Sequence, residues 1–237
     1  MNKELQKLYE KHYPNLTKEM FLRNQKLEKE SERSTNPLLL NVSENYMKAD
    51  LRVMFFGQET NYWHTEMDGT GQFHGEISPL LNLYENFYIK GNCYSYGGQF
   101  WNGINRFKQL LNKTSKDNNF EFIWNNVVKI GKCGKGFPSQ INDITNKYFN
   151  VISDEIKITK PDILVFLSGP YYDNEIKKTI GDFKSFPIDS FPQRKLCRLE
   201  FKDKPIAFRT YHPNYLWRNG IDNYFNAIIN EIKTTKC

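Results

Sequence analysis

Residues 51–61 read LRVMFFGQETN: six residues of mainly apolar character, then a glycine and a polar run. A stretch this short, rich in β-compatible side chains and closed by turn residues, has the form of a buried strand. Three further stretches repeat it. Residues 120–124 run up to Asn125, residues 163–167 up to Ser168 and Gly169, and residues 206–208 up to Thr210 and His212. Helical spacing fills the intervals, at about 99–113, 139–159, 171–180 and 220–235. Strands alternating with helices predict an α/β fold, a three-layer α/β/α sandwich around a central four-stranded parallel sheet. Ahead of the first strand, residues 2–30 carry Leu5, Leu8, Tyr9, Leu16, Met20 and Phe21 at helical spacing, and Asn36-Pro37 breaks that pattern. The expected organisation is one domain over 1–237, with an N-terminal helical extension at 1–45 and a loop insertion at 64–96.

A parallel sheet presents its ligand site beyond the carboxyl ends of its strands. The residues there are Gly57-Gln58-Glu59-Thr60-Asn61, Asn125-Asn126, Ser168-Gly169-Pro170 and Tyr211-His212-Pro213-Asn214. Taken singly, a strand-end Glu is usually solvated, an Asn usually caps a helix and a His usually packs. A carboxylate, a carboxamide and an imidazole converging on one sheet edge form a candidate catalytic set.

Composition sets bounds on that reading. With 39% hydrophobic and 25% charged residues, the chain has the make-up of an ordinary globular protein. No apolar run approaches the roughly 20 residues of a membrane span, and residues 1–30 lack the apolar segment of a signal peptide. A cytoplasmic protein without a membrane or protein partner is expected. Cys93, Cys133, Cys197 and Cys237 are far apart, with no C-x-x-C pair, and His12, His64, His74 and His212 give no short ligand spacing. Neither a metal site nor a cofactor is expected. The net charge of +6 permits a polyanionic partner without specifying one.

Four segments in order resemble the uracil-DNA glycosylase superfamily, most closely the branch called family 4. VMFFGQETN (53–61) looks like the strand and water-activating loop. FIWNNVVK (122–129) is similar to the strand ending in T-N-V-V-K, and KPDILVFLSG (160–169) to the strand that follows. TYHPNYLWR (210–218) resembles the T-Y-H-P-S-x-L-x-R motif. The resemblance implies a DNA glycosylase. Glu59 and His212 would be catalytic, Gln58, Phe100 and Asn126 would hold the base, and Leu216 would fill the gap left by an extruded nucleotide. Phe100 follows Gly97-Gly98-Gln99, similar to a G-R-P-F element, and Phe73 is a second stacking candidate. Trp217, Arg218, Lys129, Lys132 and Lys135 would contact DNA. The chain departs from the branch in lacking its iron–sulfur cysteines, in having Thr60 where the first motif has Pro, and in carrying the 64–96 insertion.

Chemistry gives each residue type a reason. A base stacked in a duplex must be extruded before its bond to the sugar can be reached. Cleavage places positive charge on the sugar and negative charge on the base. A carboxylate suits the first and an N–H donor the second. Asn126 offers both a donor and an acceptor, and so leaves uracil and cytosine open. The glycines of IGKCGKG (130–136) either admit phosphates or form a basic turn. The insertion is either a pocket wall for a bulky base, with Tyr94, Tyr96, His74 and Asn92 as hydrogen-bonding groups, or a surface excursion packed through Leu80, Leu81, Leu83 and Phe87. The expected substrate is uracil or a bulky modified pyrimidine such as a modified cytosine of bacteriophage DNA, which would make the protein an antiviral defence factor. The alternative is a non-catalytic relative that binds a modified base.

Overall fold

The computed structural model describes residues 1–63, 72–114 and 119–236; His64, Gly69 and Gly71 of the expected loop lie outside them. Among the described residues, the sheet consists of β1 (Leu51–Glu59), β2 (Phe120–Val128), β3 (Ile163–Phe166), β4 (Phe183–Pro187), β5 (Leu196–Phe201) and β6 (Ile206–Thr210), in the order β2-β1-β3-β6-β5-β4. The pairs β1–β2, β1–β3 and β3–β6 are parallel. These are the four expected strands. They are apolar throughout because both sheet faces are covered, with Val53, Met54, Phe55 and Phe56 all fully buried.

The expectation of four strands is corrected to six. β5 runs antiparallel to β6, and β4 antiparallel to β5. β4 carries Lys184 and Pro187 and is largely half-exposed, so it has no apolar run to mark it. An edge strand with one open side tolerates both residues. Because β5 runs backwards, Leu196 lies beside Thr210, and the 188–195 connection reaches the same sheet edge as the ends of the parallel strands.

The helices are α1 (Asn2–Gln25), α2 (Glu44–Lys48), α3 (Ile77–Tyr84), α4 (Asn92–Tyr96), α5 (Gln99–Thr114), α6 (Ser139–Tyr148), α7 (Ile152–Thr159), α8 (Asp173–Ile180), α9 (Pro213–Arg218) and α10 (Ile221–Lys236). The expected helix at 139–159 is two, since Phe149 leaves helical geometry at φ −141°. One sheet face meets α5 and α10 through Phe55, Phe107 and Phe225, whose successive ring centroids are 5.2 Å apart. On the other face Phe56 stacks on Phe166 at 4.6 Å.

α1 buries Leu5, Tyr9, Tyr13, Leu16 and Met20, which recur every three or four residues along one face. Tyr9 reaches the middle of the molecule. Its hydroxyl donates to Glu155 Oε1 at 2.7 Å and accepts from the Leu40 N–H at 2.9 Å. Glu155, on α7, also takes Lys129 Nζ at 2.8 Å and Asn125 Nδ2 at 2.9 Å. Both charged side chains are essentially inaccessible, at 1% and 0%. Burial draws the Lys129 amine below its usual value, against the pull of Glu155. Sequence reading put Lys129 among the phosphate contacts. The structure corrects this, because the ammonium lies inside the core with its bonds committed.

Removing one member of such a pair leaves a buried charge alone. Lys129→Met is expected to cost about 3–5 kcal/mol in denaturant unfolding, and replacing Glu155 by Leu as well should recover much of that loss. A cost under about 1 kcal/mol for the single variant would contradict this view of the core.

Candidate functional site

At the carboxyl edge of the sheet, β1 and β2 place Gly57 beside Asn126. The approach is so close that a Cβ on Gly57 would lie 2.4 Å from Asn126 Oδ1 and 3.1 Å from Phe100 Cζ. Glycine is therefore required at this strand end. Phe100 is in the first turn of α5, delivered by Gly97 and Gly98 at φ +79° and +89°. Its ring lies 5.6 Å from that of His212, at an interplanar angle of 22°. Gly57, Phe100, Asn126 and His212 are thus a contiguous group drawn from four separate segments.

The Asn126 amide has a defined orientation. The indole Nε1–H of Trp124, a donor only, bonds Asn126 Oδ1 at 3.2 Å. The Asn126 backbone N–H donates to Asn125 Oδ1 at 2.8 Å, which ties it to the buried Lys129 network. Asn126 Nδ2 is buried and has no partner. An unsatisfied buried donor costs about 1–3 kcal/mol.

His212 stands at the N-cap of α9, where its Nδ1 accepts the Asn214 N–H at 3.2 Å. An accepting Nδ1 carries no proton, so the neutral ring bears its hydrogen on Nε2. Burial lowers its pKa, so the ring is neutral and a donor at physiological pH.

Glu59 ends β1, two residues beyond Gly57. Its carboxylate receives a short hydrogen bond from the Tyr172 hydroxyl. Burial raises its pKa, and the Tyr172 bond opposes that rise by favouring the ionised form. Gln58 faces the other way and donates from Nε2 to the Ser168 carbonyl at 3.0 Å, joining the ends of β1 and β3. Tyr172 was not identified from sequence. It lies two residues beyond Ser168-Gly169-Pro170, the segment that the strand-end rule selects, and nothing distinguished its hydroxyl from that of neighbouring Tyr171.

The expected DNA contacts divide. Lys135, Trp217 and Arg218 are exposed, Trp217 at 39%. Lys132 is bound to Glu32 at 3.0 Å. Leu216, the expected wedge, has no exposed surface and packs in the core, so Trp217 beside it is the side chain that protrudes. Phe73 is buried against Tyr13 and Phe21 and is not available for stacking. Two of the 130–136 glycines serve the protein's own backbone: a Cβ on Gly131 would lie 1.9 Å from the Thr60 carbonyl, and one on Gly134 2.7 Å from that of Ser31, while Gly136 faces open space at φ +92°.

The described part of the insertion packs on the domain. Leu80, Tyr84, Tyr88 and Cys93 are buried, and the Tyr84 hydroxyl bridges the Trp124 carbonyl and N–H at 2.7 and 3.0 Å. Phe87 sits among Trp63, Trp101 and Trp124, supporting Phe100 from behind. Of the expected polar groups, Tyr94 bonds Lys108 and Asn92 bonds the Asn86 carbonyl. Tyr96 is exposed at 74%. Cys93, Cys133 and Cys197 are buried. Among the described residues no cluster of three His, Cys, Asp or Glu gathers, and no helix is long and apolar enough to cross a membrane.

No known protein family matches the chain, and no curated protein is similar to it.

An NMR titration of His212 tests the electrostatics of the site directly. The midpoint should fall below the usual 6.5, with the Nε2–H tautomer in the neutral ring. Because the fold favours the uncharged ring, this group should weaken the folded state as pH falls below 6.5. A midpoint above 6.5 would contradict the assignment.

Proposed function

We propose that this chain is a DNA glycosylase with a uracil-DNA glycosylase-like fold, which binds an extruded pyrimidine and hydrolyses its bond to deoxyribose. The observation that carries the reading is Asn126: a buried amide oriented by an indole, with one unpaired donor, beside an aromatic face and a neutral imidazole. An extruded base has a flat face for Phe100 and an oxygen for Asn126 Nδ2. With Oδ1 held toward Trp124, the donor suits a pyrimidine bearing oxygen at position 4. Uracil fits this better than cytosine.

In the reaction, water attacks C1′ of the sugar while the C1′–N1 bond breaks, and its electron pair leaves with the base. The departing anion places charge on O2, where a hydrogen bond from His212 Nε2 would stabilise it. Such an oriented donor is worth roughly 3–4 kcal/mol. Ionised Glu59 would stabilise the cationic sugar and orient the water, as carboxylates do in the hydrolysis of O-glycosides. The proton lost by water balances the one gained by the released base. Trp217 would occupy the space left in the stack, offsetting part of the few kcal/mol that extrusion costs.

The test is incubation with oligonucleotides carrying uracil, hydroxymethylcytosine or glucosylated hydroxymethylcytosine, followed by alkali to cut abasic sites. Uracil strands should be cut. Cutting confined to a modified cytosine would shift the substrate to phage DNA and the role to defence, and binding without cutting would indicate a non-catalytic relative. His212→Ala should slow cutting by about 10²–10³-fold with little change in DNA affinity.

Tyr172 acts through Glu59, so its effect should be visible in the pH profile. The rate should fall in acid as Glu59 takes up a proton, with a midpoint above the ordinary 4.5. Tyr172→Phe removes the bond that favours the carboxylate, and the acid limb should move to higher pH. An unmoved limb would remove Tyr172 from this role.

A further inference from the structure

We propose that a rim of exposed aromatic side chains around the site is a docking surface for single-stranded DNA, and that an unpaired strand, not a closed duplex, is the favoured form of substrate. The inference rests on the base-excision reading and adds to it the state of the DNA.

Exposed large apolar side chains are ordinary when scattered. Phe21, Leu22 and Met47 stand apart on α1 and α2, but four others gather on the connections at one end of the sheet. Tyr62 (56% exposed) follows β1, Tyr96 (74%) precedes α5, Phe137 (44%) follows β2, and Tyr171 (75%) follows β3. Tyr62 and Tyr96 stand near the two ends of the segment that joins β1 to α5, and Phe137 and Tyr171 on the segments that follow β2 and β3; these three connections leave the carboxyl ends of the parallel strands.

Two of the four adjoin the Glu59 side of the site. Phe137 meets the Tyr172 ring edge-on at 5.8 Å, and Tyr172 in turn holds Glu59. Tyr171, the residue before Tyr172, carries the Arg194 guanidinium over its ring at 5.3 Å, while Arg194 also bonds the hydroxyls of Tyr171 at 2.8 Å and Tyr211 at 3.3 Å. The result is a braced aromatic platform with much of its surface in solvent. Such platforms accept unstacked bases of any sequence.

The charges at this edge point the same way. A duplex presents phosphates and conceals its base faces; a single strand presents both. Duplex binding calls for a dense row of free cations. Here Lys129 is buried on Glu155 and Lys132 is bound to Glu32. Arg194, braced by two tyrosine hydroxyls that leave its charge in place, is exposed, as are Lys135 and Arg218. The rim offers more base-stacking surface than phosphate-binding charge.

The experiment measures the affinity of the full chain for a labelled oligothymidylate and for its duplex with oligoadenylate, across a range of salt. The single strand should bind at least about tenfold more tightly, with a shallow log–log salt slope near −2 for about three phosphate contacts. The Tyr171→Ala/Phe137→Ala double variant should lose roughly 30-fold or more on the single strand, whereas Tyr171→Phe, which keeps the ring, should bind like wild type. Equal or tighter binding to duplex, or an unchanged double variant, would overturn the proposal. Alkali cleavage run in parallel separates the two readings. Efficient cutting of duplex in preference to single strand overturns the rim and leaves excision standing. Rim-dependent binding with no abasic site in any oligonucleotide overturns excision and leaves the rim.

Discussion

The end of β2 is held by an ion pair that water does not reach. Two charges in a core are tolerated only when nearly every hydrogen-bonding position is filled, and here the fillings come from distant parts of the chain. Lys129 and Asn125 belong to β2 and its extension, Glu155 to α7, and Tyr9 to α1. Asn125 then passes the constraint to Asn126 through the backbone N–H. The backbone from which the candidate base-reading amide projects is thus tied to a tyrosine near the start of the chain. The N-terminal helix, which composition alone would class as a charged appendage, is part of the scaffold of the site.

The two candidate catalytic groups are shifted in opposite directions by the same cause. Burial favours the uncharged form of each, raising the Glu59 carboxyl and lowering the His212 imidazole. For His212 the result is directly useful, because a neutral ring with Nδ1 engaged presents Nε2–H. For Glu59 it works against an anionic role, and the Tyr172 hydroxyl counters it. A short bond that sustains a partly buried carboxylate has an evident purpose if positive charge is to develop nearby.

The parallel core was legible because strands buried on both faces must be apolar throughout, as 53–56 and 163–167 are. β4 and β5 were not, since antiparallel strands near an edge need no such run and β4 ends in Pro187. The strand-end rule selected Glu59, Asn126 and His212, and the structure brings Asn126 and His212 together around Phe100. The rule stopped at Pro170, two residues short of Tyr172, whose hydroxyl reveals its partner only in three dimensions. Lys129 and Leu216 were misjudged for a related reason. A lysine beside glycines and a leucine beside a tryptophan read as surface groups, and only packing shows that both are inside. For Gly131 and Gly134 the decisive contacts, with Thr60 and Ser31, are equally remote in sequence.

The account stands on the claim that this edge of the sheet breaks an N-glycosidic bond with water. A single-turnover reaction on a uracil-containing single strand in oxygen-18 water tests it most directly, with both products weighed by mass spectrometry. The account predicts free uracil and one labelled oxygen at C1′ of the abasic sugar, both lost in Glu59→Gln. DNA that is bound yet returns intact, with uracil still attached and no label in the sugar, would contradict it.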